Sequence, residues 1–402
     1  MRRLAGLGIV LLALSSSLGA GERYLILPFY NVSRTANLEW IGEAFAETAR
    51  EALEAHGVAA VPREERESAA HDLGLPLDRK LLKGSLIRLG METGADRLVF
   101  GRFDYTPAAG SAEPARGAIH VRAETLDLKR ATAGSVYEEA APMRELAPLL
   151  ARLAWKLLRG AAPRKAPSLE TFLENHRPVR LDALENYIRG LLAADLERKH
   201  RFFTLAANLE PDFSLPCFEL GRMQWEESNY RAAARWLERV RPGCSRYLQA
   251  RFLLGVCRYH VGDYAGAREA FEEVGEAAPG AAIFNNIALA WHRTMSPKAV
   301  EAMLWAVDRN PDDPDLQFNA AYLLWREGRF AEAMPHLKKA LEIDPGDVFA
   351  RRLLLRCQEG EGPRRGDLSM EGAERLKEDF EEVAAALHGA GPGRQAAGPL
   401  RR

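Results

Sequence analysis

Between residues 248 and 347, small and large apolar positions alternate with polar ones on a pattern that recurs at a fixed interval. Gly221, Gly255, Ala288 and Ala321 are separated by 255 − 221 = 34, 288 − 255 = 33 and 321 − 288 = 33 residues. A second series of small residues, Ala233, Ala267 and Ala333, marks another helix in each unit, and Pro211, Pro279, Pro311 and Pro345 close the units. Within residues 314–347, Ala320, Ala321 and Leu324 fall on one helical face, and Ala333, Leu337 and Ala340 on one face of the helix that follows. Small residues set against large ones allow two antiparallel helices to approach closely. Between them Glu327-Gly328-Arg329-Phe330 supplies a turn in which Gly328 is free to take a positive φ.

The unit at 248–280 repeats this with Leu254, Gly255, Gly262-Asp263-Tyr264, Ala267 and Phe271. Its neighbours depart from the pattern. Residues 214–247 keep Leu220, Gly221, Tyr230, Ala233 and Leu237, with the proline early at Pro242. Residues 281–313 keep Asn286-Ile287-Ala288 and Trp291, lose one residue around Met295-Ser296-Pro297 and carry Val300 in place of alanine, which predicts a distorted turn. The first unit, 182–213, has Tyr187, Gly190, Phe203, Ala206 and Pro211 and is about three residues short between its helices. Five repeats are therefore expected over 181–358, ending in a capping helix at 348–358 that carries Ala350, Leu353, Leu354 and Leu355. The period and its residues resemble the tetratricopeptide repeat family. That resemblance implies an all-α superhelix whose first helices line a concave face.

The preceding part of the chain has a different rhythm. Short apolar runs at 24–29, 58–61, 96–103, 118–128 and 132–140 predict strands, and 118–128 alternates Ile119, Val121, Ala123 and Thr125 with His120, Arg122 and Glu124. Residues 38–56, 63–72, 79–93 and 143–159 predict helices, the first through Trp40, Ile41, Phe45, Ala49, Ala52 and Leu53. The stretch 107–117 is rich in Ala, Gly and Pro and reads as a loop. Strands interleaved with helices argue for a small α/β or α+β sandwich. Leu25-Ile26-Leu27-Pro28-Phe29-Tyr30-Asn31-Val32-Ser33, then Trp40-Ile41-Gly42-Glu43-Ala44-Phe45, then Gly94-Ala95-Asp96-Arg97-Leu98-Val99-Phe100-Gly101, resemble the TolB amino-terminal-like family, itself similar to curli-secretion CsgG-like domains. The resemblance covers residues 22–160 and brings no catalytic residue with it. The expected architecture is α+β and multidomain: a small TolB-like α/β domain at 22–160, a Pro-containing linker at 161–180, and then the solenoid. Beyond it a hinge at 359–367, an amphipathic helix at 369–387 through Leu376, Phe380, Val383 and Leu387, and a disordered tail at 389–402 are expected.

Composition changes this picture little. With 402 residues, 47% hydrophobic and 28% charged, and a formal net charge of −1, the chain has no global drive toward nucleic acid or anionic lipid. Its start matters more. Arg2-Arg3, an apolar run over 4–14 and Ser15-Ser16-Ser17-Leu18-Gly19-Ala20 read as a secretory signal over 1–20, so a periplasmic or secreted destination is expected, the alternative being an uncleaved inner-membrane anchor. After cleavage no membrane span is expected. Cys217, Cys244, Cys257 and Cys357 leave two states open, burial as free thiols and a bridge between Cys217 and Cys244.

Phosphate-loop, zinc-helix, nucleophile-elbow and paired Cys-x-x-Cys patterns are absent from the sequence, and the nine histidines do not converge in spacing. A non-enzymatic role without cofactor or metal is expected. The outward positions of the first helices supply the candidate groove: Phe218, Arg222 and Trp225; Phe252, Tyr259 and His260; Asn286, His292 and Arg293; Asn319, Tyr322, Trp325 and Arg326. Aromatic and Arg side chains are enriched at interaction hot spots. The repeat-family resemblance further implies that Asn286 and Asn319, one repeat apart, hold an extended peptide backbone. The expected role is an exported adapter for a protein or peptide partner. A small-ligand sensor or an envelope-assembly component acting through the α/β domain is the alternative.

Overall fold

The computed structural model describes residues 22–33, 35–108, 117–364, 370–381 and 383. The expected signal segment, most of the 107–117 loop and the 389–402 tail lie outside them.

The amino-terminal part is a five-stranded sheet between two helical layers. Strands β1 (Tyr24–Ile26), β3 (Arg97–Thr106), β4 (Ala118–Asp127) and β5 (Thr132–Pro142) lie in that order, with the short β2 (Tyr30–Asn31) also paired to β3. β1 runs parallel to β3, in register Leu25 opposite Leu98, because the intervening helices α1 (Trp40–Ala55), α2 (Arg63–Asp72) and α3 (Lys83–Glu92) form the crossover. β3, β4 and β5 are antiparallel neighbours. Alternation along the strands sorts the two faces. Ile26, Val99, Phe103 and Val121 pack toward α1 and α4 (Leu146–Ala161), whereas Leu25, Leu98 and Leu126 pack toward α2 and α3. Residues 58–61, predicted as a strand, form only a single bridge from Ala60 to Tyr24. Pro62 has no N–H with which to extend the pairing.

The 161–180 stretch is not a free tether. Trp155 donates to the Pro167 carbonyl at 3.0 Å, Ser168 caps α5 (Leu169–Asn175), and Phe172 is buried. Ten helices follow as five antiparallel pairs: α6 (Leu181–Leu192) with α7 (Leu196–Leu209), α8 (Ser214–Glu226) with α9 (Tyr230–Leu237), α10 (Tyr247–His260) with α11 (Tyr264–Ala277), α12 (Ala281–Arg293) with α13 (Ala299–Arg309), and α14 (Pro314–Arg326) with α15 (Phe330–Ile343). α16 (Val348–Glu359) covers the last pair. The architecture is thus a small sheet region followed by a helical solenoid.

The small-against-large rule is met atom by atom. A Cβ on Gly190, Gly221 or Gly255 would lie 2.5, 2.6 or 2.5 Å from Phe203, Leu237 or Phe271 of the paired helix. The offsets are 271 − 255 = 16 and 237 − 221 = 16 but 203 − 190 = 13, so the first hairpin closes with a connection three residues shorter. The turn expected to be distorted near Met295 is longer than its counterparts: five residues, 294–298, join α12 to α13, where three join the helices of each other pair. Ser228, Gly262, Met295 and Gly328 all take the left-handed conformation after the first helix of a pair, at φ 60°, 83°, 59° and 75°. Met295 accepts the conformation that glycine adopts elsewhere, and its side chain stays in solvent.

The sheet region packs on the solenoid through α1, whose Arg50 is paired with Glu47 at 2.7 Å and Glu54 at 2.6 Å, and whose Glu51 accepts from the Ser245 N–H at 2.9 Å. All four cysteines are free thiols. Burial pushes the Cys257 thiol up to about 12 and that of Cys357 up to about 11.

Candidate functional site

The helix predicted over 369–387 does not form in its first half, while 369, 382 and 384–387 lie outside the described residues. Residues 373–379 have no helical structure, and helix begins only at Phe380. The segment instead crosses the concave face of the solenoid, where main-chain hydrogen bonding to side chains replaces the bonds a helix would make internally.

Two asparagines hold it. Asn286 of α12 donates from Nδ2 to the Lys377 carbonyl at 2.7 Å and accepts the Lys377 N–H at 2.9 Å. Asn319 of α14 does the same to Arg375, at 2.8 and 3.0 Å. A primary amide matches a peptide unit in this way because it carries a donor and an acceptor side by side. The residues gripped, 375 and 377, are two apart, which is the repeat of an extended chain. Asn285 orders the pair, donating to the Arg375 carbonyl at 3.0 Å and to Asn286 Oδ1 at 3.1 Å while accepting from Asn319 Nδ2 at 2.7 Å. All three amides are fully buried.

Side chains of the segment find matched surroundings. Arg375 lies 4.0 Å over the Phe318 ring and bonds Asp315 at 3.1 Å and Asp347 at 2.5 Å. Lys377 bonds Asp313 at 2.9 Å and Asp315 at 3.0 Å. Burial disfavours the charges of Lys377 and Asp315, but hydrogen bonds and charges from Asp313 and Asp315 hold the ammonium above its ordinary range, and those from Lys377 and Arg375 hold the Asp315 carboxyl below its own. Glu374, whose side chain is 2% exposed, pairs with Arg293 at 2.9 Å. Glu378 meets His260 Nε2 at 2.8 Å, and Phe380 packs against Phe252 with ring centroids 5.6 Å apart. The segment therefore runs from α14 past α12 to α10, backward along the repeats.

Of the thirteen residues read from sequence as the groove, Phe252, His260, Asn286, Arg293 and Asn319 touch this segment. Phe218, Tyr322 and Trp325 are buried in helix packing, and Trp325 Nε1 donates to the Glu361 carbonyl at 2.7 Å. Tyr259 and His292 are half-buried, against Tyr264 and Tyr322 respectively. Burial, aided by Arg326 and Arg293, pushes His292 down to about 4. Arg222 is tied to Glu219 and Glu226, Trp225 is half-buried, and Arg326 is exposed. Asn285, Asp313, Asp315, Phe318 and Asp347 were missed. Asp313 and Asp347 look in sequence like helix caps, and they are, accepting from Leu316 and Ala350 N–H groups. Their second task, facing the cations of the segment, leaves no separate signal.

A cavity of about 540 Å³ lies where the sheet region meets the first repeats, lined among others by Glu47, Glu51, Phe172, His176, Tyr187 and Cys244. Glu47 Oε1 and His176 Nε2 are buried there without hydrogen-bond partners. Among the described residues no three His, Cys, Asp or Glu side chains are grouped to hold a metal, and no helix is long and apolar enough to cross a membrane.

No curated protein matches the chain. Among solved structures, MamA from Desulfovibrio magneticus RS-1 is 22% identical with a TM-score of 0.36, covering 40% of this chain and 92% of that one. YrrB, described as a TPR protein with an unusual peptide-binding site, is 18% identical with a TM-score of 0.34, covering 49% of this chain and 95% of that one. The tetratricopeptide repeat family matches residues 218–282 and 296–348, which hold α9 to α11 and α13 to α15 together with most of α8.

Proposed function

We propose that the chain is a non-enzymatic scaffold that captures an extended protein segment on the concave face of its solenoid, gripping the main chain with Asn286 and Asn319. The observation that carries this reading is the pair of reciprocal amide-to-backbone contacts at 2.7–3.0 Å. Such contacts hold a chain without demanding particular side chains, and the side-chain subsites around them add selection. The Arg2-Arg3, apolar and small-residue order over 1–20 supports export of this scaffold to the periplasm or beyond. A photo-crosslinking residue in place of the exposed Arg326 tests the capture in cells. It should link to another protein in the native envelope, and Asn286→Ala/Asn319→Ala should abolish the link. Unchanged linking in that variant moves binding to another surface. Amino-terminal sequencing that finds Met1 on the mature protein overturns export by signal cleavage.

The cavity beside α1 favours a second reading, in which a small ligand is sensed by the TolB-like region. The unpartnered Glu47 Oε1 and His176 Nε2 are the groups that would meet it. A compound that raises the melting temperature of the wild type but not of His176→Phe would support this role.

A further inference from the structure

The groove is already occupied by the chain itself, and the occupant spells out what the site selects. Five contacts follow one another along the segment: Glu374 on Arg293, Arg375 on Phe318 with Asp315 and Asp347, Lys377 on Asp313 with Asp315, Glu378 on His260, and Phe380 on Phe252. Three carboxylates thus face two cations set two residues apart, and one half-buried guanidinium faces the buried acid that precedes them. A like charge at any of these subsites would be desolvated beside its own kind, which is the repulsive half of specificity. Resting on the capture reading above, we infer that the partner carries an extended segment of the order acid, cation, apolar residue, cation, with an aromatic three residues further on, and that it enters by displacing residues 374–380 of this chain.

The segment is held through side chains of α12 and α14, whose own main-chain ladders do not depend on it. Main-chain groups of 375 and 377 are held by asparagine amides, which water can satisfy if the segment departs. The segment is tethered to the end of α16, so it competes at the effective concentration of a short linker, on the order of millimolar. An outside peptide must therefore bind well, or present several such segments, before it takes the groove. The chain's own segment sets a threshold.

The test uses a fluorescently labelled peptide with the sequence of residues 372–381 and the full chain, read by anisotropy. Arg375→Glu/Lys377→Glu in the chain sets two anions against Asp313, Asp315 and Asp347 and should release the resident segment. The peptide should bind this chain at least tenfold more tightly than the wild type. A peptide with the same two charges reversed should bind neither. If the reversed chain loses its helical signal, Arg375→Ala/Lys377→Ala takes its place, with the same expectation. Equal affinity for wild type and released chains overturns self-occupancy. Equal binding of native and charge-reversed peptides overturns the charge selection while leaving backbone capture standing. No binding of any peptide to a released, folded chain overturns both. Concentration-dependent dimers of the wild type by light scattering, dispersed by Arg375→Glu/Lys377→Glu, would assign the segment to a second copy and overturn the intramolecular account.

Discussion

Replacing Asn286 and Asn319 by alanine removes four hydrogen bonds to the main chain of Arg375 and Lys377. At a net ~0.5–1.5 kcal/mol each, the loss is about 2–6 kcal/mol for the docked segment. The Arg375 carbonyl keeps Asn285 at 3.0 Å, whereas both main-chain groups of Lys377 lose their side-chain partner. The loss has a ceiling, because a segment that no longer docks simply hydrates, and the chain then forfeits the docking free energy and no more. Arg375→Glu/Lys377→Glu reaches the same ceiling by repulsion. The expected outcome, read as urea denaturation of the full chain by circular dichroism, is a lower midpoint for each double variant and a combined cost well below the sum. Coupled losses of this kind are the mark of residues sharing one structural event. Two results refute the reasoning: an unchanged midpoint for Asn286→Ala/Asn319→Ala, and costs of the two pairs that add without saturating.

Gly255→Leu should cost on the order of 1–3 kcal/mol or more, since even its Cβ would lie 2.5 Å from the Phe271 ring, whereas Glu269→Leu on an exposed position should cost within ~0.5 kcal/mol. Equal thermal midpoints for the two contradict the helix pairing. Met295→Gly and Ser228→Gly should each stabilise by roughly 0.5–1 kcal/mol, because both residues hold the left-handed conformation at φ 59° and 60°; lower denaturation midpoints would place strain elsewhere. His292 is held neutral, with its pKa pushed down from 6.5 to about 4. Its contribution is therefore full above the unfolded value, near pH 6.5, and is lost as pH falls toward 4, by at most about 3 kcal/mol. His292→Gln should flatten the decline in urea midpoint between pH 7 and 4.5 relative to the wild type, and identical pH profiles would contradict the assignment.

The helix pairs were legible in sequence because close helix approach forces a small residue opposite a large one, and Gly221, Gly255, Ala288 and Ala321 leave that mark at intervals of 34, 33 and 33 residues. Asn286 and Asn319 stood out for the same reason, as polar residues recurring on a concave face. Their environment did not. The sequence placed these amides at outward positions lining a groove, and they are fully buried because residues 374–380 of the same chain lie on them. That segment reads as a helix by its spacing of Leu376, Phe380 and Val383, and a period of apolar residues cannot reveal that a groove elsewhere offers its main chain better partners. Asp313 and Asp347 were hidden by a double duty, since a cap explains an aspartate before a helix without reference to a distant cation. The turn at Met295 was legible in part: the missing residue marked the one connection that departs from its counterparts, with α13 starting only at Ala299, although a left-handed non-glycine residue turns the chain there as glycine does at Gly262 and Gly328.

The seat of residues 374–380 in the groove is tested most directly by amide hydrogen exchange of Arg375 and Lys377 in the wild-type chain. Both N–H groups donate to buried asparagine oxygens, at 3.0 and 2.9 Å. The account predicts that both amides are protected in the wild type and exchange at the rate of an unstructured peptide in Asn286→Ala/Asn319→Ala, while amides inside α12 and α14 keep their protection in both chains. Exchange of Arg375 and Lys377 at the unstructured rate in the wild type would contradict it.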